Sequence, residues 1–127
     1  MIKTAADLVA EARSEIREIT PNDYARHHHC VLIDVREPAE FATGRIDGSI
    51  NIPRGVLEFQ VDADPAVAHV SDPALSQKDQ AIVVYCRTGG RAALAAQSLQ
   101  RLGFSNVCSI AGGITGWTDA GLPVTAR

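Results

Sequence analysis

An α/β domain with a largely parallel sheet is expected from three features of this 127-residue chain. Short apolar runs rich in β-branched residues, above all 30–35 and 81–85, read as strands buried on both faces. Stretches with helical spacing or helix-start signals alternate with them, as in a sheet built from crossover connections. The length suits one domain, and a chain of this size buries enough surface to need neither a metal nor a disulfide for its core.

The elements follow in order. Thr4 caps a first helix, with Asp7 in its first turn. Ala5, Leu8, Val9, Ala12 and Ile16 form its apolar stripe, and Glu11, Arg13, Ser14 and Glu15 take the other side. Residues 17–19 form a short extended piece. A second helix starts with Thr20 as cap, Pro21 at the first position and Asp23 facing the dipole, and runs to about His28. The strand at 30–35 is broken by Arg36-Glu37-Pro38, after which 38–42 make one or two helical turns. Residues 49–52 form a short strand stopped by Pro53, 55–61 are weakly helical, and 62–76 read as an irregular surface excursion. The strongest strand, 81–85, leads through a glycine loop into a helix over 91–102, ended by Gly103. A strand at 106–110, a turn at 111–113 and a short helix at 114–119 complete the domain.

Composition narrows the function. Twelve basic residues face fifteen acidic ones, for a formal charge of -3, and no Lys/Arg-dense run occurs, so a nucleic-acid partner is not expected. No apolar stretch reaches the roughly 18 residues that a membrane span needs, so no membrane partner is expected. The N-terminal segment lacks an apolar signal core, and the cytoplasm is the expected compartment. The three cysteines, at 30, 86 and 108, form neither a disulfide framework nor a metal-spaced set. No cofactor is called for. Adjacent His27, His28 and His29 point in different directions on a helix end and make a poor metal site, and His69 reads as an exposed loop residue.

The chemistry concentrates where the best strand ends, in Cys86-Arg87-Thr88-Gly89-Gly90-Arg91. Sheets of this class bind ligands outside the carboxyl ends of their strands. Gly89 and Gly90 allow the loop to curl, so that its backbone N–H groups and the first free N–H groups of the next helix converge on the sulfur. Together with Arg87 and Arg91 they favour a nucleophilic thiolate at Cys86. The phosphate-loop Lys-Ser/Thr pair and the dinucleotide G-x-G-x-x-G pattern are absent. Cys30 and Cys108 read as small buried apolar residues, and Trp117 and Tyr85 as packed ones.

Leu32-Ile33-Asp34-Val35-Arg36, Glu40-Phe41, the run from Gly44 to Pro53, the Cys86 loop and Ala111-Gly112-Gly113-Ile114-Thr115-Gly116-Trp117 together resemble the rhodanese (sulfurtransferase) domain. The likeness runs from about Ile19 to Val124, which leaves 1–18 as an N-terminal helical extension and 19–127 as the domain. It implies a five-stranded parallel sheet with helices on both faces. It also implies sulfur transfer through a Cys86 persulfide, with a small sulfur-containing anion such as thiosulfate as donor. The implied acceptor is a thiol, cyanide or a sulfur-accepting protein. The loop Arg87, Thr88, Gly89, Gly90 and Arg91 would bind substrate, with Asp34, Arg36 and Glu40 in support. Arg91 opens a helix, where the dipole disfavours a cation, so it needs an acidic partner: Asp34 is the first candidate and Glu40 the second. Gly112 and Gly113 are expected to bring their turn close to the loop. The phosphatases of this fold carry one residue more between Cys and Arg than the four found here, and a tighter loop suits a single sulfur atom rather than a phosphate. The alternative to an enzyme acting on small molecules is a persulfide carrier or a regulatory binding module acting with a partner protein.

Overall fold

The computed structural model describes residues 3–26, 29–61, 75 and 77–126. Its sheet has five parallel strands in the order β1-β5-β4-β2-β3. The strands are β1 (Arg17–Ile19), β2 (Val31–Asp34), β3 (Ile50–Asn51), β4 (Ile82–Tyr85) and β5 (Val107–Ile110). The helices are α1 (Ala5–Glu15), α2 (Pro21–Arg26), α3 (Pro38–Thr43), α4 (Leu57–Val61), α5 (Gly90–Arg101) and α6 (Gly113–Asp119), with a 3-10 turn over Arg54–Val56 before α4.

β2 and β4 are buried at every residue. This is the expected consequence of a parallel sheet covered on both faces, and it is why both read as unbroken apolar runs. Alternation along β4 sends Ile82, Val84 and then Cys86 into one core, and Val83 and Tyr85 into the other. The first core lies under α4 and α5 and includes Leu57, Val61, Leu99 and Phe104. Leu75, from the stretch read as a surface excursion, is buried in it. The second lies under α2 and α6, where the Tyr24 and Trp117 rings meet edge to face with centroids 5.8 Å apart. Each fully buried Leu or Ile in these layers contributes about 1.5–3 kcal/mol.

Local signals set the helix starts. The Thr4 hydroxyl accepts from the Asp7 N–H at 3.1 Å while the Asp7 carboxylate accepts from the Thr4 N–H at 3.0 Å, a reciprocal cap for α1. The Thr20 hydroxyl accepts from the Asp23 N–H at the start of α2. In α5 four of the six buried residues are alanines, Ala92, Ala93, Ala95 and Ala96, beside Gln97 and Leu99. Small side chains let this helix lie close to the sheet and leave room for α1 on its outer side, where Ala12 is fully buried. The strand β2 is shorter than expected, because Cys30 and Val35 fall outside its ladder, although the Val35 N–H still donates to the Tyr85 carbonyl at 3.0 Å.

Candidate active site

Cys86 follows β4 directly, at the carboxyl end of the sheet's middle strand. Its side chain is 1% exposed. The Gly89 N–H donates to Sγ at 3.0 Å and the Ala92 N–H at 3.4 Å. The first comes from the loop and the second from the first turn of α5, where N–H groups have no intrahelical acceptor. Gly89 makes the curl possible with a φ of +118, in the left-handed region. Gly90 needs no such freedom and is the first residue of α5.

The turn before α6 shapes the loop from the other side. The Ile114 N–H donates to the Cys86 carbonyl at 2.9 Å and the Thr115 N–H to the Arg87 carbonyl at 3.0 Å. With these carbonyls held by α6, the loop's N–H groups are left for the sulfur. The approach requires a glycine at 113, which has a φ of +61. A Cβ there would lie 2.5 Å from the carbonyl oxygens of both Cys86 and Arg87. The expected closeness of the 111–113 turn to the loop is therefore found, and Gly113 is its point of contact.

Arg91 is paired with Glu40, not with Asp34. Its Nη1 donates to Oε1 at 2.7 Å and its Nη2 to Oε2 at 3.1 Å. The same carboxylate accepts from Arg87 Nη2 at 3.1 Å and from the Glu37 N–H at 3.0 Å. The Arg91 bonds, with Glu37 and Arg87 adding to them, lower the Glu40 pKa to about 2 against the opposing effect of burial. Asp34 is engaged elsewhere. Fully buried, it accepts from Arg36 through the backbone N–H, Nε and Nη2, at 2.7–3.1 Å. Arg36 Nη2 also donates to the Gly44 carbonyl at 2.6 Å. Asp34 and Arg36 thus form a buried brace between β2 and the chain after α3, whereas Glu40 joins α3 to both loop arginines. Thr88 is exposed.

Two residues that sequence patterns did not single out for the site border it. A Cβ on Gly89 would sit 3.0 Å from Arg13 Nη2, and one on Gly90 would sit 3.6 Å from Val9 Cγ2. The helix α1 therefore rests against the loop that carries Cys86. No motif or spacing signals this contact.

Cys30 and Cys108 pack against the α2/α6 layer, with the sheet between them and Cys86, but both are half-buried rather than buried as expected. Burial raises the Cys30 pKa, which keeps it a thiol. Tyr85 is buried beside them, and its hydroxyl accepts from the Ile46 N–H at 3.1 Å and shares a bond with Ser49. Trp117 Nε1 donates to the Pro123 carbonyl at 2.7 Å. His27, His28 and His69 lie outside the described residues, and His29 is exposed.

A family model described as a rhodanese-like domain matches residues 18–120. A sulfurtransferase of Allochromatium vinosum is 32% identical over 96 residues, covering 76% of this chain and 78% of that protein. The chloroplastic thiosulfate sulfurtransferase 16 of Arabidopsis thaliana is 38% identical over 97 residues, covering 74% of this chain and 78% of that one. A solved Rhodopseudomonas palustris structure, described as a protein of unknown function and possible tyrosine phosphatase, superposes with a TM-score of 0.84 at 33% identity, over 98% of this chain and 96% of that one. A likeness that runs through both sequence and backbone, and that takes in the strand and loop bearing Cys86, makes this chain a member of the rhodanese-like domain family.

Proposed function

We propose that this protein is a sulfurtransferase that carries a sulfane sulfur from a donor such as thiosulfate to a thiol or cyanide through a persulfide on Cys86. The observation that carries this reading is the pair of backbone N–H groups aimed at the Cys86 sulfur at 3.0 and 3.4 Å. Such donors stabilise negative charge on sulfur, both in the attacking thiolate and in the persulfide.

The reaction has two displacements. The Cys86 thiolate attacks the outer sulfur of thiosulfate. A new S–S bond forms, the donor's S–S bond breaks, and sulfite leaves with the electron pair. An acceptor thiolate or cyanide then attacks the outer persulfide sulfur, and the Cys86 thiolate is regenerated. This is covalent catalysis with ping-pong order. Arg87, exposed and at the loop's edge, would meet the anionic donor. Arg91, turned back onto Glu40, would order the loop. Cytoplasmic thiols would keep Cys86 reduced and serve as acceptors.

The phosphatase description attached to one similar structure favours a different product, but this loop does not suit it. Only four residues separate Cys86 from Arg91. Arg91 also spends both terminal nitrogens on Glu40 rather than presenting them to a phosphate.

The test is the intact mass of the reduced protein after brief exposure to thiosulfate and desalting, beside Cys86→Ser. A gain of one sulfur atom on the parent alone is expected. A parent that gains nothing from thiosulfate would remove that donor, and failure with thiol persulfides as well would remove sulfur transfer.

A further inference from the structure

We propose that Arg13 of α1 belongs to the active site, as a residue that draws anionic sulfur donors to the rim of the Cys86 loop. The identity of the ligand as a sulfur donor rests on the sulfur-transfer reading above, and the position of Arg13 does not.

The geometry begins at Gly89. One side of this residue presents its N–H to Sγ at 3.0 Å. Against another side lies the Arg13 guanidinium, with Nη2 3.0 Å from the place a Cβ would occupy. Val9, one turn earlier on α1, meets Gly90 in the same way at 3.6 Å. The helix is thus seated on both glycines of the loop, and the missing Cβ of Gly89 lets a cation lie against the backbone.

Electrostatics make this an unusual place for an arginine. The converging loop N–H groups and the N-terminus of α5 already make the region positive. Arg87 and Arg91 are offset there by Glu40, which both contact. Among the described residues Arg13 pairs with Glu18 alone, at 3.9 Å, and both side chains are substantially exposed, at 47% and 37%. An exposed pair at that distance is loose and screened by salt. Around one loop, three arginines therefore face two carboxylates and the Cys86 sulfur. Because Glu18 holds it so loosely, the exposed Arg13 guanidinium is open to an arriving anion. A guanidinium presents a planar fork to the oxygens of a sulfonate or carboxylate, and a cation at the rim raises the local concentration of anionic reagents.

The experiment uses the full chain and compares two alkylating probes at Cys86, anionic iodoacetate and neutral iodoacetamide, at low ionic strength. Modification is read on the peptide that contains Cys86. Arg13→Gln is expected to lower the iodoacetate-to-iodoacetamide rate ratio roughly three- to tenfold, with the iodoacetamide rate unchanged and the effect fading at high salt. Arg13→Lys should retain most of the ratio. For thiosulfate, Arg13→Gln should raise KM by a similar factor and leave kcat alone. An unchanged ratio overturns the proposal, and so does an equal fall with both probes, since that would mark Arg13 as a prop for the loop. A wild type that takes up no sulfur, with the probe ratio still sensitive to Arg13, would overturn the sulfur-transfer reading and leave Arg13 as a guide for other anions.

Discussion

At Gly113 a backbone position decides whether the loop that carries Cys86 can take this shape. The φ of +61 and the carbonyl oxygens 2.5 Å from a would-be Cβ act together. Gly113→Ala is expected to cost about 2 kcal/mol or more, from strain plus collision, and to slow persulfide formation by displacing the Cys86 and Arg87 carbonyls. Gly121 offers a matched control, because its φ is +82 and nothing lies within 4 Å. Gly121→Ala should cost about 1 kcal/mol and leave the reaction alone. Urea melts and thiosulfate uptake on both variants check the contrast. Glu40 is the other residue whose role is concentrated in a few atoms. Its folded pKa, about 2, lies below the ordinary value of 4.5. Its ion pairs therefore contribute stability that is fully present above pH 4.5 and is lost as pH falls towards 2. Glu40→Gln should cost about 1 kcal/mol at pH 7, since the arginines are partly exposed and screened. The gap between parent and variant should close between pH 4.5 and 2 in paired melts.

Among the elements, α5 has the most neighbours to satisfy. Its alanine face packs on the sheet, its first turn supplies an N–H to Cys86, and its outer side receives α1. The attachment of α1 is reinforced by Gln97 Nε2, which donates to Glu15 at 3.0 Å. Because α1 rests on the loop glycines, its order bears on the site. Thr4→Ala removes one arm of the reciprocal cap and should destabilise α1 by about 1 kcal/mol. Amide hydrogen exchange should quicken across Ala5–Glu15 and stay slow in β4 and β5. Uniform quickening everywhere would instead make α1 part of the cooperative core.

Across the molecule, the buried Asp34–Arg36 pair links β2 to the segment that enters at Gly44. An ion pair of this kind stabilises little in net terms against an apolar replacement, yet losing one partner is costly, because the other remains buried and charged. Arg36→Leu is therefore expected to lose about 3–5 kcal/mol, visible as a large drop in Tm. A loss under 1 kcal/mol would show that Asp34 finds another partner or a proton.

The order of strands and helices, the two-faced burial of β2 and β4, and the location of Cys86 at a strand end were legible in residue patterns. These properties follow from neighbours in the chain: alternation, capping residues and apolar runs act over a few positions. Partner choice was not legible in the same way. Asp34 and Glu40 were both plausible acids for Arg91, and only the path of the chain gives Asp34 to Arg36, two residues away, and turns Glu40 on α3 towards the loop. The part played by α1 was hidden for the same reason. Arg13 lies on the polar side of an amphipathic helix, and nothing within that helix says which loop it will cover. Contacts between residues far apart in sequence depend on how whole elements pack, and that packing places an arginine from position 13 against a glycine at position 89.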